Sequence, residues 1–397
     1  MNLLTRLGDD IEQRWRAAGS AAAAFPAIAR AALQAHDVPA GIGHVDLVRE
    51  ALRTPNLPTQ FGSPFGQPPL NVYVGPGFFI EVLTWVESTT AVHQHNFCGA
   101  FQVLAGSSLH SAYTFAERER AGNRLLIGDT RFEGSEHLTV GSTREIHSGN
   151  GLIHALFHLD HPSATIVART IDDGTGPQYL YAKPHVAYDP FWAPEPHATR
   201  ARLLNMLASI KDPGLPDALA EAIEGSDAWG AYRFLEIANR HAHASLDGLL
   251  AVARKRHGGL VDAMRPSLDE ARRQANIVLR RDRIRETEHR FFLALLLNLP
   301  DRESIFQAIR ARHPGVDPTQ WIVDQVRHLS GEDRIGLTFD ALSLQVLEGL
   351  LEGRAEEGIQ GELEVRYGRH AVHAQQDQLT QLFAQMRQAL LLQPLFA

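Results

Sequence analysis

The chain has 397 residues, 44% of them hydrophobic and 21% charged, which is an ordinary balance for a folded protein of two or three domains; its formal net charge is -8. With 46 acidic against 38 basic residues and no extended Lys/Arg face, the concentrated positive footprint of a nucleic-acid partner is missing. The lone cysteine, Cys98, excludes an intrachain disulfide framework. The leading MNLLTRLGDDIEQRW meets acidic residues before any apolar run, so it does not read as a signal peptide. Apolar runs such as FFLALLLNL fall well short of the ~20 residues that span a bilayer, so no membrane partner and a cytoplasmic location are expected.

Residues 1–55 read as a helical lead-in packing on a β-barrel. Leu3, Leu4, Leu7 and Ile11 recur near helical spacing, and an alanine-rich run comes next. The Pro- and Gly-rich TPNLPTQFGSPFGQPPL at 54–70 predicts irregular chain. The character then changes. NVYVGPGFFIEVLTWV reads as a hairpin turned at GPG. TAVHQH, GAFQVLAG, SLHSAYTFAE, RLLIGDTRFE, HLTVGSTREIHS, LIHALFHL and ATIVARTI come next as short strands separated by Gly, Asp or Asn. That spacing predicts an all-β barrel or sandwich over 56–190. After PFWAPEPH the apolar period is helical to the end of the chain. In FDALSLQVLEGLLEG, Phe339, Leu342, Val346, Leu347 and Leu350 share one face. In LTQLFAQMRQALLL, Leu379, Leu382, Phe383, Met386, Leu390 and Leu391 do the same. The expected fold class is therefore α+β, a β-barrel followed by an all-α domain over 191–397. That domain carries no chemical motif, and two roles stay open for it: covering the barrel mouth or forming a homodimer.

The informative chemistry is histidine. His93 and His95, in AVHQHNF, lie two apart on an expected strand, and residues i and i+2 point to one face. If that face is the barrel interior, two imidazoles project side by side as a pair of metal ligands. A second histidine-bearing segment, GSTREIHSGNGLIHALFHLDHPSATIVART, holds His147, His154, His158 and His161.

These segments resemble the cupins, whose double motif joins H-x-H with a downstream glycine to a later G-x2-H-x3-N. Gly106 supplies the first glycine. Gly151, His154 and His158 match the end of the second motif, with His158 in place of the Asn; the usual preceding Pro is missing and Gly141 lies slightly too far back. His154 thus stands ahead of His147 as third ligand. The glutamate that normally comes after H-x-H is absent from NFCGAFQVLAG. In this the stretch FFIEVLTWVESTTAVHQHNFCGAFQVLAG is similar to the cysteine-dioxygenase branch of thiol dioxygenases, sharing a strand ending near Trp85, a polar turn, H-x-H, a nearby Cys and a strand ending in Gly. The resemblance covers about residues 70–170.

It implies a mononuclear Fe(II) held by His93, His95 and His154, O2 as co-substrate and a small molecule, with a thiol as the family's example, as substrate. Three neutral ligands leave the metal its full charge, which favours an anionic sulfur as co-ligand. The same set suits zinc, and manganese and nickel also stay open. The departures bear on the substrate. The family's upstream arginine has no counterpart in FGQPPLNVYVGPG, where Tyr73 is the nearest polar aromatic. Its late tyrosine has none in ATIVARTID, which offers Thr170, and Cys98 lies two residues closer to H-x-H than the family's cross-linked cysteine. His158, Arg144 and Tyr73 are the expected catalytic residues, with Arg169 and Gln102 as further candidates for the cavity. The remaining readings are a zinc or manganese isomerase or lyase, and a metal-binding regulatory module; for the latter the basic runs ARKRHGG and LRRDRIRE are short, and the second is interleaved with acids.

Overall fold

The computed structural model describes residues 2–62, 65–86, 89–172, 174, 176–331, 334 and 336–397. Ser63 and Pro64 of the expected irregular run, and Glu87 and Ser88 of the polar turn before H-x-H, lie outside the described residues. The chain forms two compact units, one of residues 1–133 with 138–272 and one of 134–137 with 273–397. No helix among the described residues is long and apolar enough to cross a membrane.

The first unit begins with four helices, α1 (Asn2–Ala17), α2 (Phe25–His36), α3 (Val38–Gly41) and α4 (His44–Arg53). Among the described residues eleven strands come after them: β1 (Pro69–Gly75), β2 (Phe78–Trp85), β3 (His93–His95), β4 (Gly99–Ala105), β5 (Ser108–Ala121), β6 (Leu125–Leu138), β7 (Thr143–Ile146), β8 (Gly149–His158), β9 (Ser163–Thr170), β10 (Leu180–Ala182) and β11 (Val186–Tyr188). They make a five-stranded sheet in the order β1-β2-β9-β4-β7 and a closed six-stranded barrel in the order β10-β11-β6-β5-β8-β3. The first unit is cupin-like, and with the helices after it the chain is of the α+β class. The strands β10 and β11 are only three residues long, too short for alternation to show in sequence. Yet β10 closes the barrel, Leu180 pairing with His93.

Alternation along β2 and β9 divides two environments. Phe78, Ile80 and Val82, with Ala164, Ile166 and Ala168, turn to one face and form a core with Leu4, Leu7, Ile11 and Trp15 of α1. Glu81, Leu83 and Trp85, with Thr165, Val167 and Arg169, turn to the other face and line a cavity. Both faces are buried, so β2 reads as a nearly continuous apolar run.

Tyr73 lies on the helix side. Its hydroxyl donates to Glu12 at 3.0 Å and stands 3.2 Å from Asp9, both on α1. The expected catalytic role is therefore not where the structure puts this residue; it packs a helix against a sheet. A Cβ on Gly8 would sit 2.3 Å from the Tyr73 ring. Gly8→Ala is accordingly expected to destabilise the first unit on balance, because overpacking costs about 1–3 kcal/mol against a helix-propensity gain of at most about 1 kcal/mol. A thermal melt should show the loss and its partial recovery in Gly8→Ala, Tyr73→Leu.

The change from strand to helix near residue 190 is not the edge of a unit. Helices α5 (His197–Ser209), α6 (Leu215–Glu224), α7 (Ala228–His241) and α8 (Leu246–His257) share one core with Leu125, Ile127, Val186 and Tyr188 of the barrel. Helix α9 (Leu260–Arg281) runs on from them. The second unit holds residues 273–281 of α9 and, after them, is helical from α10 (Thr287–Asn298) to a final short turn at Leu390–Leu395. In α10 every residue from Arg290 to Asn298 is buried, as befits a central helix. The fully buried Arg290 donates from Nε to the Ile284 carbonyl at 2.6 Å. Of the first expected stripe, Val346, Leu347 and Leu350 are buried, whereas Phe339 precedes the helix, which Asp340 caps. Of the second, Leu379, Phe383 and Met386 are buried, whereas Leu390 lies beyond the helix and is exposed.

Candidate metal centre

His93 and His95 come from β3, His154 from β8, and all three are buried. Their candidate ligand atoms lie within 4.8 Å of one another. Ring centroids are 4.7 Å apart for His93 and His95, 4.7 Å for His93 and His154, and 5.1 Å for His95 and His154. Simple i, i+2 alternation is only part of the reason. The β3–β8 register slips between the two residues, with His93 opposite His154 and His95 opposite Gly149. Gly149 takes a φ of +58°, in the left-handed region that side chains other than glycine's strain to adopt. His147, the other candidate third ligand, is half-exposed and bonds Glu145 at 3.1 Å instead.

The proton of His93 is placed by its partner. His93 Nδ1 lies 2.8 Å from the Ala91 carbonyl, so it carries the proton and leaves Nε2 as a lone pair. His154 Nδ1 lies 3.0 Å from Nε2 of His110, a buried histidine on β5. With the proton on His154 Nδ1, its Nε2 too is a lone pair. That atom is 3.0 Å from His95 Nε2. Two ligands about 2.1 Å from one ion at about 90° stand about that far apart, against about 3.4 Å at the tetrahedral angle. Burial, with the neighbouring imidazoles adding repulsion, pushes His93 down to about 4 and pushes His95 and His154 down as well. All three are therefore neutral near pH 7, the form that binds metal. The donor set fits a transition-metal ion.

His110 was not singled out by the sequence pattern. Its reach to His154 depends on the β5–β8 register, which pairs His110 with Leu156 and Ala112 with His154. Replacing His110 by leucine removes the hydrogen-bond partner of His154 Nδ1. Metal affinity is expected to fall about 10- to 100-fold, read by competition with a chromogenic chelator.

The cavity over the histidines measures about 60 Å³. Apolar side chains make most of its wall, among them Phe65, Trp85, Phe97, Phe101 and Leu156. Two charges also line it. Arg169 donates from Nε to Glu81 Oε1 at 2.6 Å, and both side chains are largely buried, at 15% and 4% exposed. The guanidinium lies 4.3 Å from the ring centroids of both Phe79 and Phe97. Phe97 in turn packs 4.6 Å from His95. Burial raises the Glu81 carboxyl, and Arg169 opposes that rise.

The other expected residues fall elsewhere. His158 is fully buried but behind the wall, stacked 4.6 Å from Trp85 with Nδ1 3.0 Å from Ser108 Oγ. Arg144 shares the inward face of β7 with Ile146, but its guanidinium turns back to donate to the Thr143 carbonyl at 2.7 Å. Gln102 points to the opposite face of β4 and bonds Thr143 Oγ1 at 3.2 Å. Thr170 Oγ1 accepts from the Cys98 backbone N–H at 3.0 Å, and Cys98 Sγ is 3.7 Å from Ser148 Oγ. None of these five lines the cavity.

No family model matches the chain, and no curated protein does. Solved structures similar to it include a cupin-2 domain protein from Shewanella frigidimarina, 14% identical, covering 32% of this chain and 93% of that one at a TM-score of 0.20. An oxalate oxidase is 16% identical, covering 36% of this chain and 67% of that one at a TM-score of 0.22. A recombinant oxalate oxidase in complex with glycolate is 16% identical, covering 41% and 82% at a TM-score of 0.23. At such scores the cupin-like description rests on the strand order and the histidine cluster, not on these likenesses.

Proposed function

We propose that the protein is a mononuclear non-haem iron dioxygenase of the cupin type, acting on a small anionic molecule that carries a thiol. The observation that carries this reading is the donor set. It consists of three neutral imidazoles, while the one carboxylate lining the cavity among the described residues, Glu81, is held by Arg169. Bound iron would supply a dication with open positions for O2 and a thiolate. The chain's own residues do the rest. Ala91 and His110 orient two of the imidazoles and keep their lone pairs on one point. The aromatic wall excludes water and admits an apolar gas, and it strengthens every charge interaction inside. Arg169, braced by Phe79, Phe97 and Glu81, presents its remaining N–H groups as donors for the anionic end of the substrate.

Such a site takes a substrate of only a few heavy atoms. Purified protein loaded with Fe(II) is expected to consume O2 with a short thiol carboxylate and not with the matching alcohol. The competing reading is a zinc or manganese isomerase or lyase. It is favoured instead if the protein as purified carries one of those metals and takes up no O2 with any thiol in the panel.

A further inference from the structure

A second cavity, of about 330 Å³, lies in the first unit against α7. It shares no lining residue with the metal pocket. Its aromatic side is built by Trp192, Trp229 and His197. The two indoles meet edge to face at 5.0 Å, and the His197 ring lies 4.6 Å from Trp229 while stacking 4.4 Å from Phe234. Its polar side is one face of α7, where Arg233, Glu236 and Arg240 stand at i, i+3 and i+7. The Asp227 carboxylate caps this helix through the Gly230 N–H at 2.7 Å.

The charges do not balance. Arg233 is bonded to Glu236 at 2.5 Å and lies 4.8 Å over the Tyr188 ring, so its position is set. Arg240 makes no ion pair or hydrogen bond among the described residues, although it too stands by Glu236. Two guanidiniums thus face one carboxylate beside flat, largely apolar rings. Arg240 is exposed and Trp192 and His197 are half-buried, so the cavity opens to solvent. The cavity volume is within the range of small-ligand sites, and its wall pairs aromatic faces with a few fixed polar groups.

We infer that this cavity is a second binding site, for a small aromatic carboxylate whose ring stacks among Trp192, Trp229 and His197 and whose anionic group meets Arg240.

The segment between β11 and α5 separates this site from the first. Tyr188, Pro190 and Trp192 line the second cavity, whereas Phe191 turns the other way and lies 6.3 Å from Phe65, which stacks on His93. The two sites can therefore be tested apart. The full-length protein is titrated with benzoate, following tryptophan fluorescence and, in parallel, heat by calorimetry. Saturable binding at millimolar benzoate or below is expected, with neutral benzyl alcohol binding at least about tenfold more weakly. Arg240→Gln and Trp192→Leu should each weaken benzoate by about tenfold or more while thermal melts stay near wild type. His93→Ala, His95→Ala should leave the titration unchanged. The inference fails if benzoate shows no saturable binding at millimolar concentration. It also fails if binding survives both Arg240→Gln and Trp192→Leu, or is lost in a His93→Ala, His95→Ala protein whose circular dichroism and melt show it folded.

Discussion

His93→Ala, His95→Ala protein is expected to purify with almost no transition metal, where the wild type holds close to one ion per chain. The two side chains supply two of three donor atoms from a single strand, and one remaining imidazole, His154, cannot hold a divalent ion against buffer. Elemental analysis reads the result directly. Because the removed rings are buried in contact with each other and with His154, truncation also opens a void, and a loss of about 2–5 kcal/mol in stability is expected. Far-UV circular dichroism and a melt separate loss of metal from loss of fold. His95→Gln is the gentler variant, keeping volume while removing the imidazole. The pH dependence has a definite sign. His93 titrates near 4 when folded and nearer 6.5 when unfolded, so the folded metal-free chain binds fewer protons between those values. Its stability contribution is present above about pH 6.5 and is lost as the pH falls toward 4. Protons compete for the folded-state lone pairs only near and below pH 4, so metal is expected to stay bound down to about that pH.

Arg169→Met should be the most damaging change in the cavity that spares the histidines. It leaves Glu81 buried without its cation, and breaking a buried pair at one end costs about 3–5 kcal/mol. The loss should shrink on acidification. With Arg169 gone, burial alone acts on Glu81 and raises its carboxyl further above the unfolded value. The folded chain then binds more protons than the unfolded one, so the contribution is fully present below the unfolded carboxylate range and is lost as pH rises through the raised folded value. Urea melts of Arg169→Met at pH 5 and pH 8 should show the variant closer to wild type at the lower pH. The double variant Arg169→Met, Glu81→Gln should recover much of the loss, because neither charge is then stranded. Activity gives the complementary readout. If Arg169 holds the substrate's anionic end, the double variant stays folded and metal-loaded but loses kcat/KM by two orders of magnitude or more.

The range of each signal decides how much of the molecule was legible in the sequence. Alternation is local, so His93 and His95 could be seen to share a face, and hairpin and turn chemistry marked most of the strands. The resemblance to the cupin motif put His154 ahead of His147, and the register slip at Gly149 shows how the chain delivers it. Contacts that depend on cross-strand register were out of reach. His110 meets His154 only because β5 and β8 align diagonally, and Arg169 meets Glu81 only because β2 lies beside β9. The same blindness misplaced Tyr73 and Arg144. Tyr73 sits one residue round the alternation from the cavity, against Gly8 of α1, and Arg144 faces inward yet turns back on its own strand. The barrel's last strands were hidden by their length. The helices after residue 190 read as a separate domain because the pattern changes there, yet Leu204, Leu219 and Trp229 close over barrel residues Leu125 and Val186 in one core.

His93, His95 and His154 are expected to converge on one metal ion. X-ray absorption at the metal edge of the purified protein tests it most directly. Three nitrogen ligands with imidazole scattering at about 2.0–2.2 Å are expected, reduced in number when His154 is replaced by alanine. Metal bound by oxygen or sulfur ligands, or a spectrum unchanged in His154→Ala, would contradict it.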